Sequence, residues 1–215
     1  MQLDNTTFND LSIFHHEEEF SIFSKLDFTQ TMQGRDWLYK LFQNPFSDSR
    51  QIQETQQILK TILNKVEKWP KSISNGTVMV IEKFYESNID SMPGGSNIVN
   101  ALSYKLFHTA DFSLVRYSLD HFADFFRGLK QLSDLFDSDS APVLVRSFLH
   151  RARELMSRPI IRELVERDPA KPFSLGDTIH FGNYIKDHFK NATLELINIY
   201  SIEFQLGSVS SLKFT

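Results

Sequence analysis

The clearest alternation of apolar and polar positions lies in mid-chain. Phe112, Val115, Leu119, Phe122, Phe126, Leu129 and Phe136 recur at spacings of three and four, with Ser133 at the one missing position. That repeat keeps one face of an α-helix apolar. It predicts a rod of about 25 residues, roughly 38 Å long at 1.5 Å per residue. A second stripe, Ile185, Phe189, Ala192, Leu196, Ile199, Ile202, Leu206 and Val209, predicts one helix from about 176 to 212, roughly 50 Å long, with Gly182 as the point where it could break.

Shorter elements surround these rods. "HHEEEFSIFSKLDF" (15–28) reads as a helix with acids in its first turn and Phe20, Phe23 and Leu26 spaced three apart. Asp27 with Gln30 has capping-box spacing, and Thr29 or Thr31 could also cap a helix with Met32, Leu38, Leu41 and Phe42 on its inner stripe. Asn44-Pro45 ends that helix, because the residue before proline avoids the α region. Asp48 with Gln51 opens the next one, whose face of Ile52, Leu59, Leu63 and Val66 runs to Trp69-Pro70. The two should form a hairpin of packed helices. Further helices are predicted at about 74–87, from Ile98 to about Phe107 on Ile98, Leu102 and Leu106, from Pro142 to Arg158, and at 159–167. "NIDSMPGGSN" and "RDPAKPFSLGD" read as loops. No segment alternates with period two, so the predicted class is all-α, an elongated helical bundle.

Composition narrows the chemistry. With 215 residues, 41% hydrophobic and 20 of them phenylalanine, the chain can fill a core. It has no cysteine, which excludes disulfides and thiolate metal sites and fits a reducing, cytoplasmic setting. No apolar run reaches the roughly 18–20 residues that span a bilayer, so no membrane association is expected. A net charge of −4 argues against tight autonomous binding of nucleic acid.

The candidate sites are few. None of the eight glycines is followed by lysine, so the chain has no phosphate-binding loop of the Gly-Lys-Ser/Thr type. Consecutive residues of "HHEEE" would point in different directions on a helix and cannot readily share an ion. His180 and His188 lack obvious partners. "FYE" at Phe84–Glu86 matches a Phe-x-Glu base-step wedge, but the surrounding pattern turns Phe84 toward a core. Six of the ten arginines, Arg146, Arg151, Arg153, Arg158, Arg162 and Arg167, fall in one short region. Glu154, Glu163, Glu166 and Asp168 leave it a local excess of two. This is either a salt-bridged helical surface or a face that docks phosphate, DNA or protein. No catalytic, cofactor-binding or metal-binding residues are assigned, and the chain is not expected to be an enzyme.

"LDNTTFNDLSIF" (3–14) and "FSIFSKLDFTQTMQGRDWLYKLFQNPFSDSRQIQETQQIL" (20–59) resemble the start of the core, or lever, domain of the MutS DNA mismatch-repair family. The positions that match its Leu-Asp-x-Thr-x-Thr-x-x-Gly-x-Arg segment and its flanks are Asp4, Leu11, Leu26, Asp27, Thr29, Thr31, Gly34, Arg35, Pro45 and Asp48, with Arg35 directly after Gly34 in this chain. Phe8-Asn9-Asp10-Leu11 carries one extra residue between Asn and Leu. "LINIYSIEFQLGSVSSLKFT" (196–215) is similar to the family's last lever helix, with Glu203 where Asp is more usual.

The resemblance implies one MutS-like lever domain over 1–215. Helices and a hairpin would occupy 1–69, a variable helical region 70–170, and a long helix 176–215 leading toward an ATPase domain. Mismatch-reading and connector domains would precede Met1 and the ATPase would follow Thr215, making the chain a segment of a longer protein. That parent would be a cytoplasmic, nucleoid-associated and dimeric DNA-repair ATPase using ATP and magnesium, coupling their turnover to DNA or partner binding. The lever would relay motion and bind no cofactor itself. The alternative is a helical protein-interaction scaffold using the heptad face or the arginine-rich surface. Arg35 is expected to pair with a carboxylate or a helix C-terminus, and Gly34 to let its helix lie close to a neighbour. Replacing Gly34 with leucine should therefore cost more than about 1 kcal/mol by overpacking, read as a lowered melting temperature.

Overall fold

The mid-chain repeat forms one helix from Thr109 to Leu135, 27 residues and about 40 Å long. A computed structural model describes residues 9–15, 17, 20–27, 32–89, 91–94, 98–136 and 143–203. The fold is all-α. The described residues form ten α-helices: α1 (Ile22–Leu26), α2 (Met32–Gln43), α3 (Ser49–Leu63), α4 (Asn75–Glu86), α5 (Ile98–Phe107), α6 (Thr109–Leu135), α7 (Val143–Met156), α8 (Pro159–Glu166), α9 (Leu175–His188) and α10 (Lys190–Glu203). A 3₁₀ turn spans Val66–Lys68.

Two compact units share the chain. One comprises Met1–Lys68, Ser138–Arg146 and Asn198–Thr215, the other Trp69–Asp137 and Ser147–Ile197. In the second unit α6 is the central element, packed by α4, α5, α8 and α9. All seven apolar positions of the repeat are buried, and so is Ser133, whose hydroxyl finds no hydrogen-bond partner among the described residues. Phe125 and Leu132, outside the repeat, are also fully buried. The apolar face is thus wider than a coiled-coil seam because several helices cover it.

Two glycines permit that coverage. A Cβ on Gly128 would lie 2.8 Å from both Ile73 Cδ1 and Ser72 Oγ, so the chain before α4 can cross α6 only where α6 has no side chain. A Cβ on Gly182 would lie 2.6 Å from Val115 Cγ1 and 3.1 Å from Met92 Sδ. Gly182 therefore does not break its helix. The expected single C-terminal rod is instead two helices of 14 residues, interrupted at Phe189, where the backbone leaves helical geometry (φ −123°, ψ 0°). A continuous apolar stripe reports a shared core and does not register an interruption at a buried phenylalanine. Residues 204–215 lie outside the described region.

Local capping marks several helix starts. Ser74 and Thr77 form a reciprocal capping box at α4, and Ser174 and Asp177 form another at α9. Pro159 occupies the first turn of α8. The helix expected from His15 begins only at Ile22, because Ser21 is its N-cap: Ser21 Oγ accepts from Ser24 N–H at 3.3 Å and donates to the Ile13 carbonyl at 2.9 Å. Phe20 and Leu26 are exposed, and Phe23 is buried. α5 has the expected bounds but the opposite face: Ala101 and Tyr104 are buried, whereas Ile98, Leu102 and Leu106 are exposed. In α3, Ile58 is buried and Ile52 is exposed; the side chains of Leu59, Leu63 and Val66 lie outside the described residues.

Close approach at Gly128 can be weighed against helix propensity. Gly128→Val should lower stability by about 2 kcal/mol, since overpacking outweighs the few tenths gained in propensity. A Cβ on Gly176 would meet only Ser174 Oγ, at an ordinary van der Waals distance of 3.9 Å, so Gly176→Ala should be neutral or stabilising by up to about 1 kcal/mol. Urea denaturation of the two variants checks both signs.

Candidate functional site

Arginine is the residue type that the sequence marks for function, and the structure gives most of the cluster an internal partner. Arg151, on α7, makes a two-pronged contact with Glu195 on α10: Nε and Nη2 each lie 3.1 Å from a carboxylate oxygen, while Nη1 reaches Glu154 at 3.0 Å. Arg153 donates through Nη2 to the Ser133 carbonyl at 2.8 Å, near the end of α6. The Arg158 guanidinium sits 5.1 Å from the Phe189 ring centroid, at the α9–α10 interruption. Arg146 and Arg162 are exposed. Of the five arginines marked for DNA or partner contact, three thus have partners within the second unit and two are exposed. Arg151, Arg153 and Arg158 hold helices of the second unit together.

Arg167 follows α8 and organises the loop to α9. It donates to the Lys171 carbonyl, to the Pro172 carbonyl at 2.7 Å and to Asp177 Oδ2 at 3.2 Å, with its guanidinium 4.2 Å from the Phe173 ring centroid. Sequence reasoning overlooked Arg127. From α6 it donates to the Val165 carbonyl at 3.2 Å and the Arg167 carbonyl at 2.8 Å, capping the C-terminal end of α8. A cation favours that end of a helix dipole. The signal was a lone arginine between Phe126 and Gly128, inside the longest apolar repeat of the mid-chain.

The C-terminal helices are tied to α4 and the loop after it. Tyr85 Oη donates to Thr193 Oγ1 at 3.1 Å; burial pushes its phenol above the ordinary value, although that hydrogen bond pulls the other way. Asn183 Nδ2 donates to the Pro93 carbonyl at 2.9 Å, and Lys186 Nζ donates to the Ile89 carbonyl. Phe84 is buried, its ring centroid 5.2 Å from that of Phe122. It is a core residue and has no access to a base step.

In the first unit, the rings of Phe14, Phe23, Tyr39 and Phe42 meet at centroid distances from 4.4 to 6.5 Å. Arg35 Nε lies 3.1 Å from Asp27 Oδ2, and its guanidinium is 5.8 Å from the Phe23 ring. The carboxylate expected for Arg35 is therefore Asp27, the residue that ends α1. Thr29 and Thr31 lie outside the described residues, as do the surroundings of Gly34. Asp48 caps α3 through Oδ1, which accepts from Arg50 N–H at 2.9 Å. Pro45 closes α2 and lines a groove of about 420 Å³ with Leu41, Phe42, Phe46, Ile52 and Ile13; Thr55 and Gln56 are its polar edge.

His15 accepts through Nδ1 from the Glu17 N–H at 3.1 Å, and no three His, Asp or Glu side chains come together as a metal site among the described residues. Among them, too, no helix is long and apolar enough to cross a membrane. No family model, no curated protein and no solved structure matches the chain.

Asp177 offers a titratable check on the arginine anchors. Partial burial works to raise its pKa, but hydrogen bonds from Ser174 N–H and Oγ and from Arg167 outweigh that and hold the carboxyl below its usual range. A depressed folded pKa contributes stability above the unfolded value of about 3.9 and loses it as pH falls through the folded value. Asp177→Asn should remove that part of the acid sensitivity, so the stability gap between wild type and variant narrows below about pH 4 in urea titrations.

Proposed function

We propose that the chain is the lever segment of a MutS-like, DNA-processing ATPase, relaying motion between an ATP-hydrolysing domain and a DNA- or partner-bound state. The observation that carries this reading is the Asp27–Arg35 pair. Asp27 and Arg35 are the second and last residues of this chain's Leu-Asp-x-Thr-x-Thr-x-x-Gly-Arg stretch, and a 3.1 Å ion pair gives their spacing a physical purpose: it fixes the end of α1 against α2. The aromatic group of Phe14, Phe23, Tyr39 and Phe42 surrounds the same joint and comes from the same resembling stretch.

Relay needs a body that moves without deforming. α6 supplies about 40 Å of helix held on several sides, and Arg127, Arg151 and Arg153 anchor its neighbours through donors fixed in direction. ATP and magnesium belong to the parent protein in this reading. The chain's own residues do not fit the nucleotide, since no glycine here is followed by lysine, and no step is assigned to it.

A second reading, a helical scaffold for another protein, is favoured by the apolar groove beside Pro45. The heptad face is no longer a candidate surface for it, because that face is buried.

Fluorescence anisotropy with duplex and branched DNA should give weak binding that weakens further with salt, or none, given the charge of −4. Salt-resistant nanomolar binding would overturn the assignment of a passive relay. In the longer protein, Arg35→Ala should lower DNA-stimulated ATP hydrolysis several-fold while basal hydrolysis persists. Unchanged stimulation would favour the scaffold.

A further inference from the structure

α5 packs on α6 and α9 and buries Ala101 and Tyr104. Its other apolar side chains face outward: Ile98 is 73% exposed, Val99 71%, Leu102 48%, Leu106 67% and Phe107 82%. Spacings of three and four join Ile98, Val99, Leu102 and Leu106, and Phe107 joins this surface across Ser103. Its area is roughly 600 Å², the upper end of what a monomer leaves in one apolar patch and most of the ~800 Å² each partner gives to a standard interface.

We propose that this face pairs two copies of the chain, α5 against α5, about a two-fold axis. Ile98, Leu102 and Leu106 form a ridge at four-residue spacing. The next row is Val99, Ser103 and Phe107, in which serine leaves a low point between two bulky residues. When such rows interdigitate, the ridge of one helix fills the groove of the other. Here one helix carries both, in equal lengths, and that self-complementarity is what a two-fold contact requires.

Space and charge agree with a second copy. A notch of about 270 Å³ borders the second row, on the side away from the ridge, and is lined by Ser103 and Phe107 with Asn100, Tyr104, Ser91, Pro93 and His108. It can receive a leucine from the opposing ridge. Lys105 is the one charged residue of α5, and its ammonium sits over the Phe112 ring at 5.7 Å. Symmetric pairing therefore strands no charge in the contact, whereas a strongly charged partner would leave its own unmatched. The face lies outside the stretches that resemble the MutS lever, so this inference stands or falls separately from that reading.

The absence of cysteine makes the test direct. Sedimentation equilibrium should show a reversible dimer whose dissociation constant rises at least about tenfold in Leu102→Glu/Leu106→Glu, as like charges meet across the axis. Both positions are exposed, so the variant should keep its helical circular dichroism. Ser103→Cys should cross-link to its own copy with a short bis-maleimide, and Lys171→Cys should not. A monomer at every concentration, a dimer indifferent to the double variant, or equal cross-linking at both cysteines would overturn the proposal. So would a monomer that sediments with phosphatidylcholine vesicles through the same row, which would assign the face to lipid.

Discussion

Close backbone approach to α6 is the constraint on which the second unit depends. A 27-residue helix with side chains buried on more than one side must be crossed by neighbours, and a crossing at helix-packing distance needs positions without a side chain. Gly128 provides one for the chain around Ile73, and Gly182 provides another for Val115. With α9 seated this closely, Asn183 and Lys186 reach the carbonyls of Pro93 and Ile89. Tyr85 likewise meets Thr193 on the helix that follows. Packing comes first, and the polar contacts take the positions it creates.

The arginines act within that frame. A guanidinium is planar, keeps its charge when partly buried and can satisfy two acceptors at once. Arg127, Arg151, Arg153 and Arg167 each bridge groups that are distant in sequence or belong to a loop. Of the two readings the arginine-rich region allows, part of it, at Arg151, Arg153 and Arg167, supplies bracing within the unit. Such bracing opposes relative motion of the helices it joins, which is what the proposed relay would require.

Much of this was legible before any coordinates. The repeat from Phe112 to Phe136, the helices starting near 74 and 159 and the stops at Asn44-Pro45 and Arg158-Pro159 follow from local rules, and the structure keeps them. Local rules failed where tertiary contacts decide. Ser21 has the side chain of a cap, but only its bond to the Ile13 carbonyl makes it the start of α1. Both faces of α5 are apolar enough to be core, and the choice of Ala101 and Tyr104 depends on which neighbours arrive. Glycine within a helix reads as a defect in one dimension and proves to be an access point in three. The candidate site was the least legible part, because an arginine's partner can lie more than forty residues away, as Glu195 does from Arg151.

The chemistry of the bracing acceptors has one more consequence. Several are peptide carbonyls, at Ser133, Val165, Arg167 and Pro172, and a carbonyl has no proton to gain in the accessible acid range. Acidification that neutralises every carboxylate would leave these contacts intact. The second unit therefore carries the makings of an acid-resistant kernel around α6 and α8, in which helix docking outlasts the ion pairs of the periphery.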